Sequence, residues 1–324
     1  MILVTGGAGY IGSHACAILQ KNGFEPIALD NLSKGHEEAV SCKLYVGDLR
    51  DCTLLDKVFS ENKIDGVIHF AASSLVGESM QFPLDYYDNN LTSAITLLKA
   101  MVKHNIKNII FSSTAATYGI PQNTPIVETD NTLPINTYGE TKLSIEKMLK
   151  WCHTAYGINY VCLRYFNVAG AISDGSIGEC HSPETHLIPI VLSVALGKRN
   201  VMKIFGNDYN TPDGTCIRDY IHIEDLINAH ILALKYLENG GESDAFNLGT
   251  GTGFSNMQVV EAARKISGHP IPIDITERRS GDPDILVASG EKAKKILGWI
   301  PKKPTIEDII SSAWKWHSTH PDGF

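Results

Sequence analysis

Tyr138 and Lys142 stand four residues apart in Tyr138-Gly139-Glu140-Thr141-Lys142, a spacing that places a phenol and an ammonium on one face of a helix. A phenol with an ordinary pKa of ~10 is a poor base at neutral pH. A neighbouring ammonium and the positive ring of an oxidised nicotinamide both favour the phenolate, so the pair predicts a tyrosine base whose pKa is drawn well down. Alone, such a pair is usually a surface feature, and its meaning depends on what surrounds it. The run Asn108 to Phe111 leads into Ser112-Ser113-Thr114-Ala115-Ala116-Thr117-Tyr118-Gly119. Thr114 is the candidate hydroxyl for holding a reacting oxygen, with a strand-end cap as its plainer role.

A second chemical feature lies at the other end of the same half. Thr5-Gly6-Gly7-Ala8-Gly9-Tyr10-Ile11-Gly12 follows an apolar strand-like run and satisfies G-x-G-x-x-G through Gly7, Gly9 and Gly12. Without Cβ atoms the backbone can turn tightly and bring amides at a helix N-terminus close to a pyrophosphate. Asp30 closes the next apolar run, about 20 residues on, where a carboxylate accepts ribose hydroxyls and repels a 2′-phosphate. NAD is expected over NADP. Lys34 reads as a solvated loop residue, and Gly249-Thr250-Gly251-Thr252-Gly253 lacks the Gly-Lys-Ser/Thr ending of a P-loop.

The elements that must position these groups are short β-branched runs alternating with amphipathic segments. Ile2–Thr5, Pro26–Leu29, Lys43–Val46, Val67–Phe70, Asn108–Phe111 and Tyr160–Leu163 read as buried parallel strands. Leu91, Ile95, Leu98 and Val102 read as one face of an intervening helix. The pattern predicts an α/β fold, a Rossmann-type doubly wound parallel sheet with a smaller mixed α/β substrate lobe. Residues 1–168 with about 219–249 are assigned to the NAD-binding domain, and about 169–218 with 250–324 to the lobe. Gly, Pro, Ser and Asn are dense through Gly170–Pro189 and Gly206–Gly214, which predicts long loops around a site. Helices are expected over Ile223–Leu237, Ser255–Ile266 and Thr305–His317, the last burying Ile306, Ile309, Ile310, Ala313 and Trp314.

Composition narrows the function classes. With 28 Lys and Arg scattered among 36 Asp and Glu, the net charge of −8 argues against nucleic acid as a partner. The longest apolar runs fall far short of the ~18 residues of a membrane span, and no basic leader precedes the first strand, so a cytoplasmic protein is expected. Seven cysteines without a C-x-x-C pair read as reduced thiols. His14, His69 and His222 lack ligand spacing, and no metal is expected.

Further blocks carry a resemblance. They include Gly47-Asp48-Leu49, Tyr86-Tyr87-Asp88-Asn89-Asn90, Arg164-Tyr165-Phe166-Asn167, Phe205-Gly206-Asn207-Asp208-Tyr209, Arg218-Asp219-Tyr220-Ile221-His222 and Arg278-Arg279-Ser280-Gly281-Asp282. With the Gly-rich loop and the Tyr138/Lys142 pair, they resemble the extended short-chain dehydrogenase/reductase family nearly end to end. The blocks after residue 160 are similar to those of its sugar-nucleotide epimerases. The resemblance implies reversible inversion at C4 of UDP-galactose and UDP-glucose, a step of galactose metabolism, through a transient 4-keto sugar and a recycled NAD.

It also implies roles. Tyr138 is the base, Lys142 tunes it, and Thr114 bonds the sugar 4-oxygen. NAD lies against Gly6, Gly9, Tyr10, Ile11, Gly12, Asp30, Asn31, Asp48, Leu49, Phe70, Ala71, Asn89 and Tyr165. Asn167, Arg218 and Arg279 hold the diphosphate, Phe205 and Asp282 the uridine, with His186, Leu187 and Lys203 also on the nucleotide. Leu286 stands near the hexose, where relatives restricted to UDP-glucose and UDP-galactose carry a bulky Tyr and those taking N-acetylhexosamines a smaller residue. A homodimer is implied, through the faces Leu91–Val102 and Ile145–Leu149, although burial within one chain also accounts for them. Alternatives are an epimerase that also accepts UDP-N-acetylhexosamines, a related dehydratase or reductase, and a nucleotide-binding module without chemistry. Family dehydratases carry an Asp-Glu pair after the strand-end Thr, where this chain has Ala115 and Ala116.

Overall fold

The structure is a computed structural model that describes residues 1–279 and 282–324. Seven parallel strands form the central sheet: β1 (Ile2–Thr5), β2 (Pro26–Asp30), β3 (Lys43–Val46), β4 (Gly66–His69), β5 (Asn108–Ser112), β6 (Asn159–Arg164) and β7 (Asp244–Asn247). Their order is 3-2-1-4-5-6-7. The chain winds outward from β1 to β3, crosses back, and continues from β4 in the other direction. The strand order therefore reverses between β1 and β4, and a crevice opens above their carboxyl ends.

Alternation along the strands splits the core into two layers. Val4, Ile68, Ile110 and Val161 pack with Ala15, Cys16 and Leu19 of helix Tyr10–Lys21 and with Leu226, Ile227 and Leu234 of helix Ile223–Glu238. Their neighbours Leu3, Val67, Ile109 and Cys162 face the opposite way, onto helices Cys52–Glu61, Ser93–Lys103 and Thr137–Tyr156. Both faces are covered, which is why the inner strands are apolar along their length.

Three sequence readings shift. The buried stripe of helix Ser93–Lys103 is Ala94, Leu97, Leu98 and Met101, leaving Ile95 and Val102 exposed on the other side. A helix at 100° per residue cannot bury both sets. Ile145 and Leu149, read as a possible contact face, lie in the core of the chain itself. In the C-terminal helix Ile306–Thr319, Trp314 is only partly buried against Ile306, Ile309, Ile310 and Ala313, and the fully buried indole is that of Trp316, outside this cluster.

The remaining lobe has its own apolar cluster, built from helices Leu187–Ala195, Asn256–Ser267 and Ile306–Thr319. The loop expected to reach Pro189 ends earlier, because helix Leu187–Ala195 has already begun. Small sheets frame the lobe: Met202–Phe205 pairs in parallel with Ile273–Thr276, and Ile217–Arg218 lies between Phe254–Ser255 and Ile285–Leu286. All seven cysteines are free thiols. Among the described residues no helix is long and apolar enough to cross a membrane.

Candidate active site

The loop after β1 is shaped by steric limits. Gly6 has φ +71°, and a Cβ there would come 2.7 Å from the Ala71 amide nitrogen; at Gly12 it would come 2.0 Å from the Gly6 carbonyl oxygen. Gly9 differs, since a Cβ there would meet only the Gly6 oxygen, at 3.4 Å. The space beside Gly9 is therefore left open by the protein. No side chain caps the helix that begins at Tyr10, and its first turn carries no acidic residue. Free amides beside open space suit the pyrophosphate of a dinucleotide. Asp30, at the end of β2, accepts from the amides of Ala8 (3.0 Å) and Leu32 (2.8 Å), which fixes its carboxylate against the loop. Lys34 points away to the Ser182 carbonyl, at 3.3 Å.

Other sequence-assigned cofactor residues gather at the same sheet edge. Asp48 and Leu49 follow β3, Phe70 and Ala71 follow β4, and Tyr165 follows β6. Arg50 bonds both oxygens of Asp48 (2.9 and 2.8 Å) and holds its carboxyl down at about 2. The Asn31 side chain reaches Asp48 as well. Asn89 donates to the Ser73 hydroxyl at 3.0 Å, while its buried neighbour Asn90 ties Ser73 to Thr141 of the Tyr138 helix.

Helix Thr137–Tyr156 starts at the Asn136 cap, whose side chain accepts from the Gly139 amide at 2.8 Å. Gly139 is needed because a Cβ would sit 2.7 Å from the Ala116 carbonyl oxygen. The helix thus lies directly on the turn after β5, bringing Tyr138 near Thr114, whose hydroxyl accepts from the Ala116 amide at 3.1 Å. One turn along, Lys142 is 3% exposed; its ammonium donates to the Ser112 carbonyl at 2.8 Å and lies 5.9 Å from the Tyr138 ring centre. The Ser112 hydroxyl meets the Tyr165 hydroxyl at 2.5 Å.

The electrostatics correct the sequence reading. Burial pushes the Tyr138 phenol up to about 12, with the Thr114 hydrogen bond pulling the other way. Burial also brings Lys142 down to about 7, against the pull of Glu146. The protein alone therefore does not hold a lowered phenol. Desolvation is the largest cause for both groups.

Behind Lys142 lies a pair that the spacing argument passes over. Glu146 accepts from Arg164 Nε (2.9 Å) and Nη2 (2.5 Å), both residues being buried, and from the Ser113 hydroxyl at 2.5 Å. Arg164 continues to the Tyr118 hydroxyl (2.8 Å), and Tyr118 to Asn247 (2.7 Å). The i, i+4, i+8 series Tyr138, Lys142, Glu146 is the signal that marks Glu146 in the sequence. The histidines hold internal contacts: His14 at the carbonyls of Tyr10 and Ile177, His69 at the Thr5 hydroxyl, and His222 at Ser312.

In the lobe, the three-stranded sheet sets Leu286 in register with Arg218. Arg218 donates to the Pro283 carbonyl at 2.9 Å and lies 3.7 Å from Asp282. The Arg279 guanidinium lies over the Phe205 ring at 4.0 Å, and the Asn167 amide donates to the Asp219 carbonyl at 2.9 Å. Lys203 shares the outward face of its strand with Phe205. Leu187 opens its helix, partly packed on the lobe core. The side chain of His186 turns its Nδ1 to Glu179. Ser280 and Gly281 of the Arg278–Asp282 block lie outside the described residues.

A doubly wound sheet with a Gly-rich first turn, an acid at the end of β2 and a Tyr/Lys pair at the sheet edge is the architecture of nicotinamide-dependent Rossmann enzymes. The chain belongs to the NAD dependent epimerase/dehydratase family, whose model matches residues 2–249. It is 60% identical over 324 residues to the UDP-glucose 4-epimerase of Halalkalibacterium halodurans, covering 100% of this chain and 97% of that one. Among solved structures, a UDP-glucose 4-epimerase superposes with TM-score 0.99 at 55% identity, covering 100% and 99%. The Bifidobacterium longum UDP-glucose 4-epimerase, in complex with NAD+ and UDP, gives 0.93 at 42%, covering 100% and 99%. The UDP-Glc/GlcNAc 4-epimerase of Campylobacter jejuni gives 0.86 at 43%, covering 98% and 99%.

Proposed function

We propose that this chain interconverts UDP-galactose and UDP-glucose by inversion at C4, with NAD as its resident cofactor. The observation that carries this reading is the meeting of Tyr138, Thr114 and Lys142 at the carboxyl ends of the strands, at the same sheet edge as the open Gly9 loop. Gly6, Gly9 and Gly12 would hold the pyrophosphate through backbone amides, and Asp30 the adenosine ribose. NAD, when bound, supplies a hydride acceptor and donor together with a positive ring. Tyr138 Oη takes the proton of the sugar 4-hydroxyl and returns it, and Thr114 orients the same oxygen. With its phenol near 12, Tyr138 works as a base only once positive charge is brought beside it. Lys142, fixed by the Ser112 carbonyl, keeps its amine at that edge.

Arg218 and Arg279 are the proposed partners of the diphosphate, consistent with the bidentate chemistry of guanidinium. The cofactor domain is proposed as residues 1–168 with about 219–249, and the rest as the sugar-nucleotide lobe. Ile95, Val102 and Trp151, all exposed on the two helices beside β4 and β5, are the proposed homodimer contacts in place of Ile145 and Leu149. Seven free thiols fit a reducing compartment, the cytoplasm.

The test is conversion of UDP-galactose to UDP-glucose without added reductant. Turnover under those conditions is expected; strict dependence on added NADH would mark a net reductase and overturn the reading. A second reading, that N-acetylated UDP-hexoses also react, is favoured by the part-exposed Leu286 in register with Arg218.

A further inference from the structure

Outside the site described above, Glu179-Cys180-His181-Ser182-Pro183-Glu184-Thr185-His186 repeats the pattern Glu-x-His twice within eight residues. The segment folds so that one donor atom from each of Glu179, His181, Glu184 and His186 lies within 4.8 Å of the others. The Glu179 side chain is 3% exposed. Both imidazoles aim Nδ1 at its Oε1, His186 in direct contact and His181 at 3.2 Å. Glu184 approaches from the other side, 3.8 Å from His181 Nδ1 and 3.9 Å from His186 Nδ1. Its Oε1 also accepts from the amides of Thr185 (2.7 Å) and His186 (2.8 Å), which fixes the carboxylate toward the cluster.

Two carboxylates sharing so small a volume, one of them buried, need positive charge, which here comes either from protonation of the two imidazoles or from a bound cation. Among the described residues no lysine or arginine forms an ion pair with either. We propose that these four side chains bind one divalent metal ion of the zinc class. Imidazole nitrogen and carboxylate oxygen are ligands for such an ion, and a +2 charge neutralises both carboxylates while the imidazoles stay neutral. Tetrahedral ligands at zinc bond lengths stand about 3.4 Å apart, so the Glu184 contacts must close slightly while His186 and Glu179, now in direct contact, must separate to admit the ion. Four protein ligands leave no open position, which makes the ion structural.

Its place in the fold says what it would fasten. The Trp316 indole donates to the Glu179 carbonyl at 3.2 Å and His36 contacts the Cys180 carbonyl at 3.0 Å. The Tyr10 ring meets His181 edge-on at 6.2 Å, and helix Leu187–Ala195 starts directly after His186. One ion would close this segment on itself and so rigidify the loop against which the helix of the Gly-rich turn and the C-terminal helix pack.

The experiment is titration of Zn2+ into the full-length, chelator-dialysed protein against a chromophoric chelator, with thermal melting in parallel. One equivalent per chain and a raised Tm are expected. His181→Asn and Glu179→Gln should each weaken binding by more than about 100-fold, the upper end of what loss of an outer-shell partner costs, and abolish the Tm rise. His181 is partly exposed, so that variant keeps the test decisive if burial of Glu179 prevents its variant from folding. No zinc bound by the wild type, or equal binding by His181→Asn, would overturn the proposal and leave the cluster as imidazole–carboxylate pairs.

Discussion

The cofactor edge and the sugar-nucleotide lobe are built on different principles. At the edge, Asp30, Asp48, Leu49, Phe70, Ala71, Thr114 and Tyr165 end or follow strands of four to six residues in one parallel sheet, and helix Thr137–Tyr156 brings Tyr138 and Lys142 to the same edge. In the lobe, Arg218 and Leu286 belong to two-residue strands, and their neighbours arrive from loops far apart in the chain. The contrast teaches that a rigid sheet edge suits the reacting atoms, while a patchwork of short strands suits a surface that selects among sugars.

The largest expected effect tests the rigidity of the first region. Arg164→Ala strands the buried Glu146 carboxylate and should lower unfolding stability by ~3–5 kcal/mol in urea denaturation. A loss below ~1 kcal/mol would show that the edge does not depend on this pair.

Next comes the buried amine. Lys142 sits at about 7 in the fold against an ordinary 10.5, so between those values the unfolded chain holds a proton that the folded chain lacks. Stability therefore rises with pH through that window. Relative to Lys142→Met, cofactor-free wild type should gain ~4 kcal/mol from pH 7 to pH 10.5, read from denaturation at each pH. A flat difference would mean that the amine is not desolvated.

Tyr138→Phe keeps the ring and deletes the proton acceptor. Turnover should fall by at least ~10²-fold while NAD remains bound, as followed by epimerisation assay and cofactor absorbance. Near-normal turnover would remove the edge from the chemistry altogether.

The smallest effect sharpens the lobe side. Leu286→Tyr should reduce turnover of UDP-N-acetylhexosamines relative to UDP-galactose by ~10-fold, because added bulk in a pocket discriminates by one to a few kcal/mol. Equal loss on both substrates would make Leu286 a packing residue.

Sequence pattern alone determined six of the seven strands of the central sheet, the Gly-rich turn, the acid at the end of β2 and the helical register that stacks Lys142 behind Tyr138. These features are local: strand alternation, steric need for glycine and i, i+4 spacing are written in consecutive residues. Only the tertiary structure decided which face of helix Ser93–Lys103 is buried, that Trp316 is fully buried while Trp314 packs partly buried on the lobe core, and that His186 turns to Glu179. It also decided that burial lifts the Tyr138 phenol and depresses the Lys142 amine, against the attraction that their spacing suggests. Desolvation depends on everything packed around a group, from every element at once, and no run of neighbouring residues records it.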